Sequence, residues 1–587
     1  RIYSDTFSIT IFPLPALRLA DLSLRLDDQT DIKIHQLQFN LDFRQLLQGK
    51  LGLGKIVVQS PQITVKDSGH RSVRSRPVFP LPFDTKALKE HLTFLPDDQT
   101  AVTIDIHNAV SDYFGRMDGS ISYDIQQNKL KIDTIVHGLH FSPSQIAGPQ
   151  FNKYLDLKRV TIDQLVLSAT LTPDNTITGN SRASGMALTS GTQKILLDAN
   201  TADLSFILSE HVQQVHVQPV LLTYPSATVG VEFFHHPEEQ KAEIRFSGNA
   251  VHVDQAREMS RILFKEMIVP QTLFDILLDG IVPQVTVAFE SSNLETLFNE
   301  HHLTLEGNIS SGKVHIPQTQ LIADQIEGDV LIQDGILDID TAAGSIQTSK
   351  IQKGQLSIDL LNHDNVPFTG RFLIDLDLSM LPQTLISLLP GTLLAQEMAR
   401  VQQISGHALS TELRLELTPN TRMPSVYVKT KPFKAVGRYD RVPEEIRIDQ
   451  VQVVYTPDHL QMNNFSGRIN GCDITDLFAA VDFTDDPWIE LKSGSAILDL
   501  TSAIPWLTAY PASQQMISPV TSGSGSVYID TITASGPIFK PSQWKYQLAG
   551  KTEAVTVFDQ PSHPQIENLS CRYLLSDTTV KLENIQA

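Results

Sequence analysis

The sequence predicts a mainly β protein: an elongated, twisted, largely antiparallel sheet curled into a groove, with a few amphipathic helices. The first observation is period-two alternation, which is nearly ideal in residues 412–417 and gives a strand one apolar and one wet face. The second is that few segments repeat apolar residues at the three- and four-residue spacing of a helix. The third is a composition with only 19% charged residues, which suits sheet surfaces better than long solvated helices.

The charge balance disfavours two classes of protein. The 587 residues include 46 Lys and Arg and 66 Asp and Glu, a net charge of −20. Nucleic-acid binders need a basic surface against the phosphates, and polybasic membrane-surface proteins need an excess of Lys and Arg. Hydrophobic residues make up 41% of the chain, which is enough for a large core and argues against general disorder. Residues 70–82 combine four basic side chains with three prolines, which indicates a loop or linker, with an anion-binding patch as the alternative.

The helical segments divide the chain. Residues 254–279 carry an apolar stripe and are predicted to be helical, with a break or kink at Pro270. Residues 381–404 form a second candidate helix, interrupted at Pro390-Gly391, and shorter helices are predicted near residues 83–94 and 473–481. The predicted organisation is a series of segments: 1–66, an N-terminal module; 67–253, a β-rich body; 254–280, helical; 281–380, a β repeat unit; 381–404, helical; and 405–587, further β repeat units.

A weak internal repeat supports this division. One copy begins near Pro317 and a second near Pro443, and in each a Leu precedes a Gly by seven residues, with Ile two residues later. The residues concerned are Leu337, Gly344 and Ile346 in the first copy and Leu460, Gly467 and Ile469 in the second. A third copy would begin near Pro564 and place its Gly beyond Ala587, so we expect the last unit to be truncated. Chance similarity between β-meanders is the alternative.

No complete motif for catalysis or cofactor binding is present. The sequence lacks a P-loop, a nucleophile elbow and an HExxH pattern. Adjacent histidines, as in His235-His236 and His301-His302, point to opposite faces of a strand and make poor metal sites. The only cysteines, Cys472 and Cys571, are too few for a disulfide scaffold. They are interpreted as free thiols, and a single long-range disulfide stays open.

Two pairs of aspartates share a strand face at period two. An acid–base pair needs a pocket and pKa values that differ, so both pairs are interpreted as solvated side chains: Asp338 with Asp340, and Asp375 with Asp377. We therefore predict that the protein is not an enzyme and binds no metal or cofactor.

The N-terminal 66 residues resemble a known module. They carry, in order, Pro13-Leu14-Pro15, Ile32-Lys33-Ile34, a Leu-Leu-Gln-Gly-Lys-Leu run at 46–51, Ile56-Val57-Val58 and Ser60-Pro61-Gln62-Ile63. This order resembles the N-terminal module of AsmA-like proteins, where it follows a membrane helix. Residues 306–345 and 465–477 are similar to the body of the same family. The chain opens without an initiator Met, and we expect it to be a piece whose natural N-terminus is missing.

The resemblance implies a periplasmic protein anchored to the inner membrane of a Gram-negative bacterium. Relatives are long twisted sheets rolled into a groove, similar to bridge-like lipid-transfer proteins, and are associated with phospholipid movement towards the outer membrane and with envelope integrity. The implied partners are phospholipids, the inner membrane through a missing N-terminal helix, and outer-membrane or periplasmic envelope proteins; no nucleic acid is implied.

An apolar strand face could serve as a lane for lipid tails. A buried acyl chain gains about 0.8 kcal/mol per CH₂, and a tail that slides along a continuous apolar floor needs no chemical step. The candidate lining residues are Leu356, Ile358, Leu360, Phe372, Ile374, Leu376, Leu413, Leu415, Leu417, Ile446 and Ile448. The stripe of the first helix, a candidate lid or simple core packing, consists of Met259, Ile262, Leu263 and Met267.

Two alternatives belong to other classes. The same residues would be ordinary core in a non-catalytic structural or assembly factor for outer-membrane biogenesis. An enzyme or a glycan-binding β protein would instead require a cluster of functional side chains in one cleft.

Overall fold

The structure is a computed structural model that describes residues 2–3, 6–11, 15–25, 30–50, 52–65, 99–142, 157–190, 195–264, 267–363, 365–421, 423–483, 486–508, 520–560 and 563–586. Within these residues the protein is mainly β with few helices, and its strands pair mostly antiparallel. The predicted fold class is confirmed in these respects, while the elongation of the chain stays a prediction.

The first fifteen strands run from the N-terminus to residue 291. They are β1 (Ile2–Tyr3), β2 (Thr6–Thr10), β3 (Ala16–Arg25), β4 (Thr30–Leu41), β5 (Leu53–Val65), β6 (Ala101–Ser111), β7 (Phe114–Asp124), β8 (Lys129–Phe141), β9 (Leu157–Leu171), β10 (Ile177–Ser190), β11 (Ile195–Leu208), β12 (Gln213–Tyr224), β13 (Ala227–His236), β14 (Lys241–His252) and β15 (Leu277–Ser291).

The remaining strands follow residue 302. They are β16 (Leu303–His315), β17 (Ile322–Gln333), β18 (Ile336–Ile346), β19 (Ser349–Asp359), β20 (Phe368–Asp377), β21 (Val401–Leu417), β22 (Ser425–Lys429), β23 (Phe433–Tyr439), β24 (Ile446–Thr456), β25 (His459–Ile469), β26 (Cys472–Asp482), β27 (Trp488–Lys492), β28 (Ser495–Asp499), β29 (Ser522–Pro537), β30 (Lys545–Gln560), β31 (His563–Ser576) and β32 (Val580–Gln586).

Helices are short and lie between strands. They are α1 (Phe43–Leu47), α2 (Val253–Leu263), α3 (Ile268–Ile276), α4 (Leu381–Leu388), α5 (Leu393–Met398) and α6 (Leu500–Thr508), with 3-10 turns at Glu300–His302, Leu378–Met380 and Pro541–Gln543.

The chain divides into two compact units. The first holds Arg1–Phe274, Asp279–Asn308 and Leu331–Gly335, and the second holds Asp275–Leu278, Ile309–Val330 and Ile336–Ala587. In the first unit β3 pairs with β1, β2 and β4, β4 pairs with β5, and from β6 to β15 each strand pairs antiparallel with the next.

One pairing in the first unit is parallel. Strands β5 and β6 run in the same direction. Parallel neighbours need a connection of a dozen or more residues, and residues 66–98 lie between them. The predicted basic loop at 70–82 and the predicted helix at 83–94 fall in this stretch, outside the described residues.

The second unit carries a sheet with two forked positions. Strands β18 to β21 pair in sequence; β21 then pairs with both β22 and β23, and both of these pair with β24. After β25 and β26 the pattern repeats, because β26 pairs with both β27 and β28, which both pair with β29. Strands β30 to β32 complete the antiparallel order.

The two predicted repeat copies form similar hairpins. Strand β18 contains Leu337, Gly344 and Ile346, and strand β25 contains Leu460, Gly467 and Ile469. Each strand has 11 residues, is followed by a two-residue turn, and pairs antiparallel with the strand that returns from that turn.

Bulges bend many strands of the second unit. Non-glycine residues with φ near 50° lie inside β21, β25, β26, β30 and β31: Ser410, Asn464, Asp476, Ala554 and Asn568. A bulge adds one residue to one strand, bends it and increases its twist. The recurrence of bulges on neighbouring strands therefore supports a curved sheet in this unit.

The helix predictions need three corrections. The predicted helix at 254–279 is two helices, with the break after Leu263 rather than at Pro270, and its last three residues already belong to β15. Pro270 lies in the first turn of α3, where its missing N–H has no intrahelical partner to lose. The helical part of 381–404 ends at Met398, although its interruption at Pro390-Gly391 agrees with the structure.

The third correction concerns residues 473–481, which lie in strand β26. A bulge at Asp476, where φ is 51°, shifts the phase of the alternation. The shift brings apolar residues Ile474, Leu477 and Phe478 to three- and four-residue spacing, so the pattern imitates a helix.

Candidate functional site

Most of the candidate lining residues lie together on one closed face. Strands β19, β20 and β21 are neighbours, and their register sets Phe372 beside Leu413 and Ile374 beside Ile351. The exposed fraction is between 0% and 9% for Leu356, Ile358, Leu360, Phe372, Ile374, Leu413, Leu415 and Leu417. Such values are typical of packed core, so this part of the face is shielded from solvent.

Glycines make room for the largest of these side chains. A Cβ added to Gly354 would lie 2.4 Å from Cδ1 of Phe372, and one added to Gly370 would lie 2.7 Å from its Cε2. The Phe372 ring therefore packs directly against the backbone of Gly354 on β19 and of Gly370 on its own strand.

The other three candidates lie further along the sheet. Leu376 and Ile448 pack against a buried cluster of Leu378, Ala408 and Ala435. Ile446 is half-buried on the same strand as Ile448. The structure thus separates Ile446 and Ile448 from the closed face of β19 to β21.

An open apolar cavity lies beside Ile446 and Ile448. Its volume is about 430 Å³, within the range of roughly 300–1,000 Å³ that ligand cavities occupy. The sheet contributes Ile404, Ala435, Gly437, Ile446, Ile448, Leu460 and Val481; α5 contributes Leu393, Leu394 and Met398; and Phe483, Ile538 and Phe539 also line it.

Strand register explains why these side chains converge. Ile404 on β21 and Ile446 on β24 both lie opposite Gly437 on β23. Leu460 on β25 lies opposite Val481 on β26. Gly437 carries no side chain between the two isoleucines, and an added Cβ there would approach the carbonyl oxygen of Gln403 to 2.9 Å.

A polar cluster accompanies the apolar wall. Glu397 on α5 lines the cavity together with Tyr439 and Arg441. Its carboxylate accepts a short hydrogen bond from the Tyr439 hydroxyl and one of 3.1 Å from Nη2 of Arg441. Nε of Arg400 lies 3.7 Å from the same carboxylate, and Nη1 of Arg400 donates to Asp440 at 3.3 Å.

The surroundings hold this cluster in place. The indole nitrogen of Trp506 on α6 donates to the carbonyl oxygen of Arg441 at 2.9 Å, which ties the turn after β23 to a helix. Burial, together with the hydrogen bond and charge of Glu397, raises the pKa of the Tyr439 phenol. Tyr439 therefore stays a proton donor at all physiological pH values.

Sequence reasoning missed the α5 side of the cavity. Leu393, Leu394 and Met398 fell inside a predicted helix whose apolar residues were not assigned a partner surface. Leu460 and Val481 were seen only as repeat and helix positions. The available signal was the hairpin of β24 and β25. Leu460 lies opposite Tyr455 in its register, so both side chains share one face.

A larger cleft lies on the wet face of the second unit. It has a volume of about 790 Å³ and is lined by Phe372 and Leu373 and by charged residues of both signs, including Lys353, Arg371, Lys429, Asp340 and Glu412. Glu412 is hydrogen-bonded to Nε of Arg414 at 2.8 Å. Exposed charges of both signs are typical of a solvated sheet face, so the smaller apolar cavity is the stronger candidate site.

The candidate lid residues lie elsewhere. Met259 on α2 is half-buried, and Met267, between α2 and α3, is 3% exposed; the side chains of Ile262 and Leu263 lie outside the described residues. Helix α2 belongs to the first unit, where Gln255 accepts from the Ser226 backbone and Glu258 accepts from the Tyr224 hydroxyl, both at 2.9 Å. These bonds fasten α2 to the turn between β12 and β13.

The two aspartate pairs differ. Asp338 and Asp340 are exposed, as interpreted from the sequence. Asp375 instead accepts from the backbone nitrogen of Ser410 at 2.8 Å, and Asp377 accepts from that of Ser379 at 3.0 Å. These backbone bonds lower the pKa of both carboxyl groups, so the pair lacks the divergent pKa values of an acid–base pair.

Comparison with known proteins identifies no family for this chain. Comparisons with protein families, with curated proteins and with solved structures each found no match. In the described part of the chain, no group of three or more His, Cys, Asp or Glu side chains could hold a metal ion. No helix among the described residues has the length and apolar character to cross a membrane.

Proposed function

We propose that this protein binds phospholipids and holds an acyl chain in the apolar cavity beside α5. The observation that carries the proposal is an open, apolar cavity of about 430 Å³ in a unit whose neighbouring inner face is closed. Each CH₂ group buried there gains about 0.8 kcal/mol, and no reacting group is required.

The wider role follows from the resemblance to AsmA-like proteins. In this proposal the protein is anchored to the inner membrane, lies in the periplasm and passes phospholipids along its sheet towards the outer membrane. The acidic surface, with a net charge of −20, is compatible with a protein that stays off an anionic membrane surface.

Photochemical mapping tests the binding site on the unmodified protein. A phospholipid with a diazirine in its acyl chain is incubated with the protein, irradiated, and the adducts are located by mass spectrometry. Adducts are expected on strands β24 to β26, around Ile448, Leu460 and Val481. Protein that gives no adduct there, or adducts only on exposed loops, would contradict the proposal.

A cavity-filling pair of variants supplies the matched control. Val481→Phe adds volume at a lining residue, whereas Val454→Phe adds the same volume on β24 at a residue that does not line the cavity. Val481→Phe is expected to reduce adduct yield several-fold while Val454→Phe leaves it unchanged. Equal yields for both variants would argue against this cavity as the binding site.

A second candidate function is a structural or assembly factor with a closed core. It is favoured by low solvent exposure on the closed face, where at most 9% of each residue is exposed for Leu356, Phe372, Ile374 and Leu413. In that case purified protein would carry no co-extracted phospholipid, and the diazirine lipid would give no saturable adduct.

A further inference from the structure

The polar cluster at the apolar cavity gathers donors around one carboxylate. The Tyr439 hydroxyl and Nη2 of Arg441 donate to it, and Nε of Arg400 lies 3.7 Å away. Donors that converge on one acceptor fit a carboxylate or phosphate well, and arginine forms charge-assisted bonds with such groups. The acceptor is the side chain of Glu397 on α5.

The charges at this wall of the cavity are unequal in number. Arg438 and Arg441 line the cavity together with Glu397, and Arg400 pairs with Glu397 and Asp440. These residues carry three positive and two negative charges, so the wall attracts an anion more strongly than a cation.

Glu397 can move without disturbing the sheet. Its side chain is 31% exposed, so it can turn to water rather than remain buried without a partner. It lies on the six-residue helix α5, whose Leu393, Leu394 and Met398 line the same cavity. The acceptor for these donors and the apolar wall are therefore parts of one short helix.

We infer that the cavity holds one acyl chain of an amphiphile with an anionic head, of which a fatty acid is the simplest, and that the head replaces Glu397 at Arg441 and Tyr439. This inference rests on the proposed function, since the tail occupies the same apolar cavity. The volume of about 430 Å³ lies near the lower end of the usual range for ligand cavities, which favours one acyl chain over two.

Competition binding with the full chain tests the head-group preference. A fluorescent polyene fatty acid serves as the probe and is displaced by laurate, dodecanol, dodecylamine or acetate. A charge-assisted hydrogen bond is worth about 1.5–3 kcal/mol, so laurate is expected to compete at concentrations about tenfold or more below those of dodecanol. Acetate, which has the head but no tail, is expected not to compete.

Variants of the cluster assign the preference to these residues. Arg441→Gln is expected to weaken laurate binding about tenfold and to leave dodecanol binding unchanged. Glu397→Gln removes the competing charge and is expected to strengthen the binding of laurate but not that of dodecanol. Arg447→Gln, which breaks an exposed ion pair with Asp449 on β24, is the matched control and should change neither.

The outcomes separate the two proposals. If neither laurate nor dodecanol displaces the probe from wild-type protein, the proposed acyl-binding function fails. If both displace it equally and the Arg441 and Glu397 variants change nothing, only the head-group inference fails. Stronger competition by dodecylamine would overturn the inference in favour of a cationic head held by Glu397 and Asp440. Melting curves confirm that each variant is folded.

Discussion

At the scale of single residues, Asp375 shows how a bulge is stabilised. The bulge at Ser410 leaves a backbone N–H outside the ladder, and Oδ1 of Asp375 on the neighbouring strand accepts from it at 2.8 Å. Gln352 donates to the same oxygen at 2.8 Å. The Asp118 carboxylate accepts from the bulged Asn108 in the first unit in the same way. A buried or half-buried N–H without a partner costs free energy, so these aspartates support the curvature of the sheet.

Replacing Asp375 by Asn should therefore reduce stability in a pH-dependent way. Its pKa is lowered chiefly by the hydrogen bond from Ser410, so the ionised form stabilises the fold above the unfolded pKa of about 3.9. That contribution is lost as pH falls through the lower pKa of the folded state. At pH 7 the variant should lose about 1 kcal/mol after allowance for solvent screening.

Urea unfolding at several pH values measures this effect. The difference between wild type and Asp375→Asn should be largest near neutral pH and shrink towards zero in strong acid. Asp338→Asn, at an exposed site, is the control and should change little. A difference that grows on acidification would contradict the assignment.

Two isoleucines of the predicted lane should respond differently to a charge. Ile374 is 3% exposed on the closed face, so Ile374→Asp buries an unpaired carboxylate and should unfold the second unit. Ile448 is half-buried and lines the open cavity, so Ile448→Asp should remain folded but bind acyl chains poorly. Melting curves and probe binding distinguish the two, and an Ile374→Asp protein with an unchanged melting temperature would refute the closed core.

At the scale of elements, the turn between β25 and β26 depends on glycine for two reasons. Gly471 has a φ of 74°, which side chains other than glycine rarely adopt. A Cβ at this position would also lie 2.7 Å from Cβ of Ser502 on α6. The neighbouring Asn470 donates to the carbonyl oxygen of Ser502 at 2.9 Å, so the turn is fixed against that helix.

A comparison with Gly391 separates the two effects. Gly391, between α4 and α5, has a φ of 82° but no atom within 4 Å of an added Cβ. Gly391→Ala should cost only the backbone strain of about 1–2 kcal/mol, whereas Gly471→Ala should cost more because Ser502 or α6 must move. If urea unfolding gives equal losses of unfolding free energy for the two variants, the contact with Ser502 does not contribute to stability.

Strands were predictable from the sequence where alternation continued without a break. The run at 412–417 lies within β21, with Leu413, Leu415 and Leu417 buried. Alternation failed at bulges, because one extra residue reverses the phase, and β26 was mistaken for a helix for that reason. The parallel pairing of β5 with β6 could not be foreseen, since pairing direction depends on long-range contacts and leaves no local pattern.

At the scale of the whole molecule, the sequence identified apolar faces but not which of them are closed. Ile374 and Ile448 belong to similar alternating runs, yet one is core and the other lines a cavity. The difference arises from the position of α5, which lines the cavity and is a tertiary feature. The Glu397 cluster was equally invisible, because its members on α5 and after β23 are about forty residues apart in the sequence.

The tryptophans and cysteines allow the unfolding of the second unit to be measured separately. All three tryptophans, Trp488, Trp506 and Trp544, and both cysteines lie in that unit. Cys472 and Cys571 are unpaired and 6% exposed, and burial raises the pKa of the Cys472 thiol. Both thiols should therefore react slowly in the native protein, because attack needs an accessible thiolate.

Thiol labelling during urea unfolding tests this expectation. Reaction with an aromatic disulfide reagent and the change in tryptophan fluorescence should share one midpoint, since both report on the second unit. Far-UV circular dichroism reports strands of both units, so a separate transition of the first unit should be visible in that signal alone. Rapid labelling of native protein would show that the strands carrying Cys472 or Cys571 open locally, and mass spectrometry would identify which thiol reacted. A disulfide found in the native protein would overturn the assignment of free thiols.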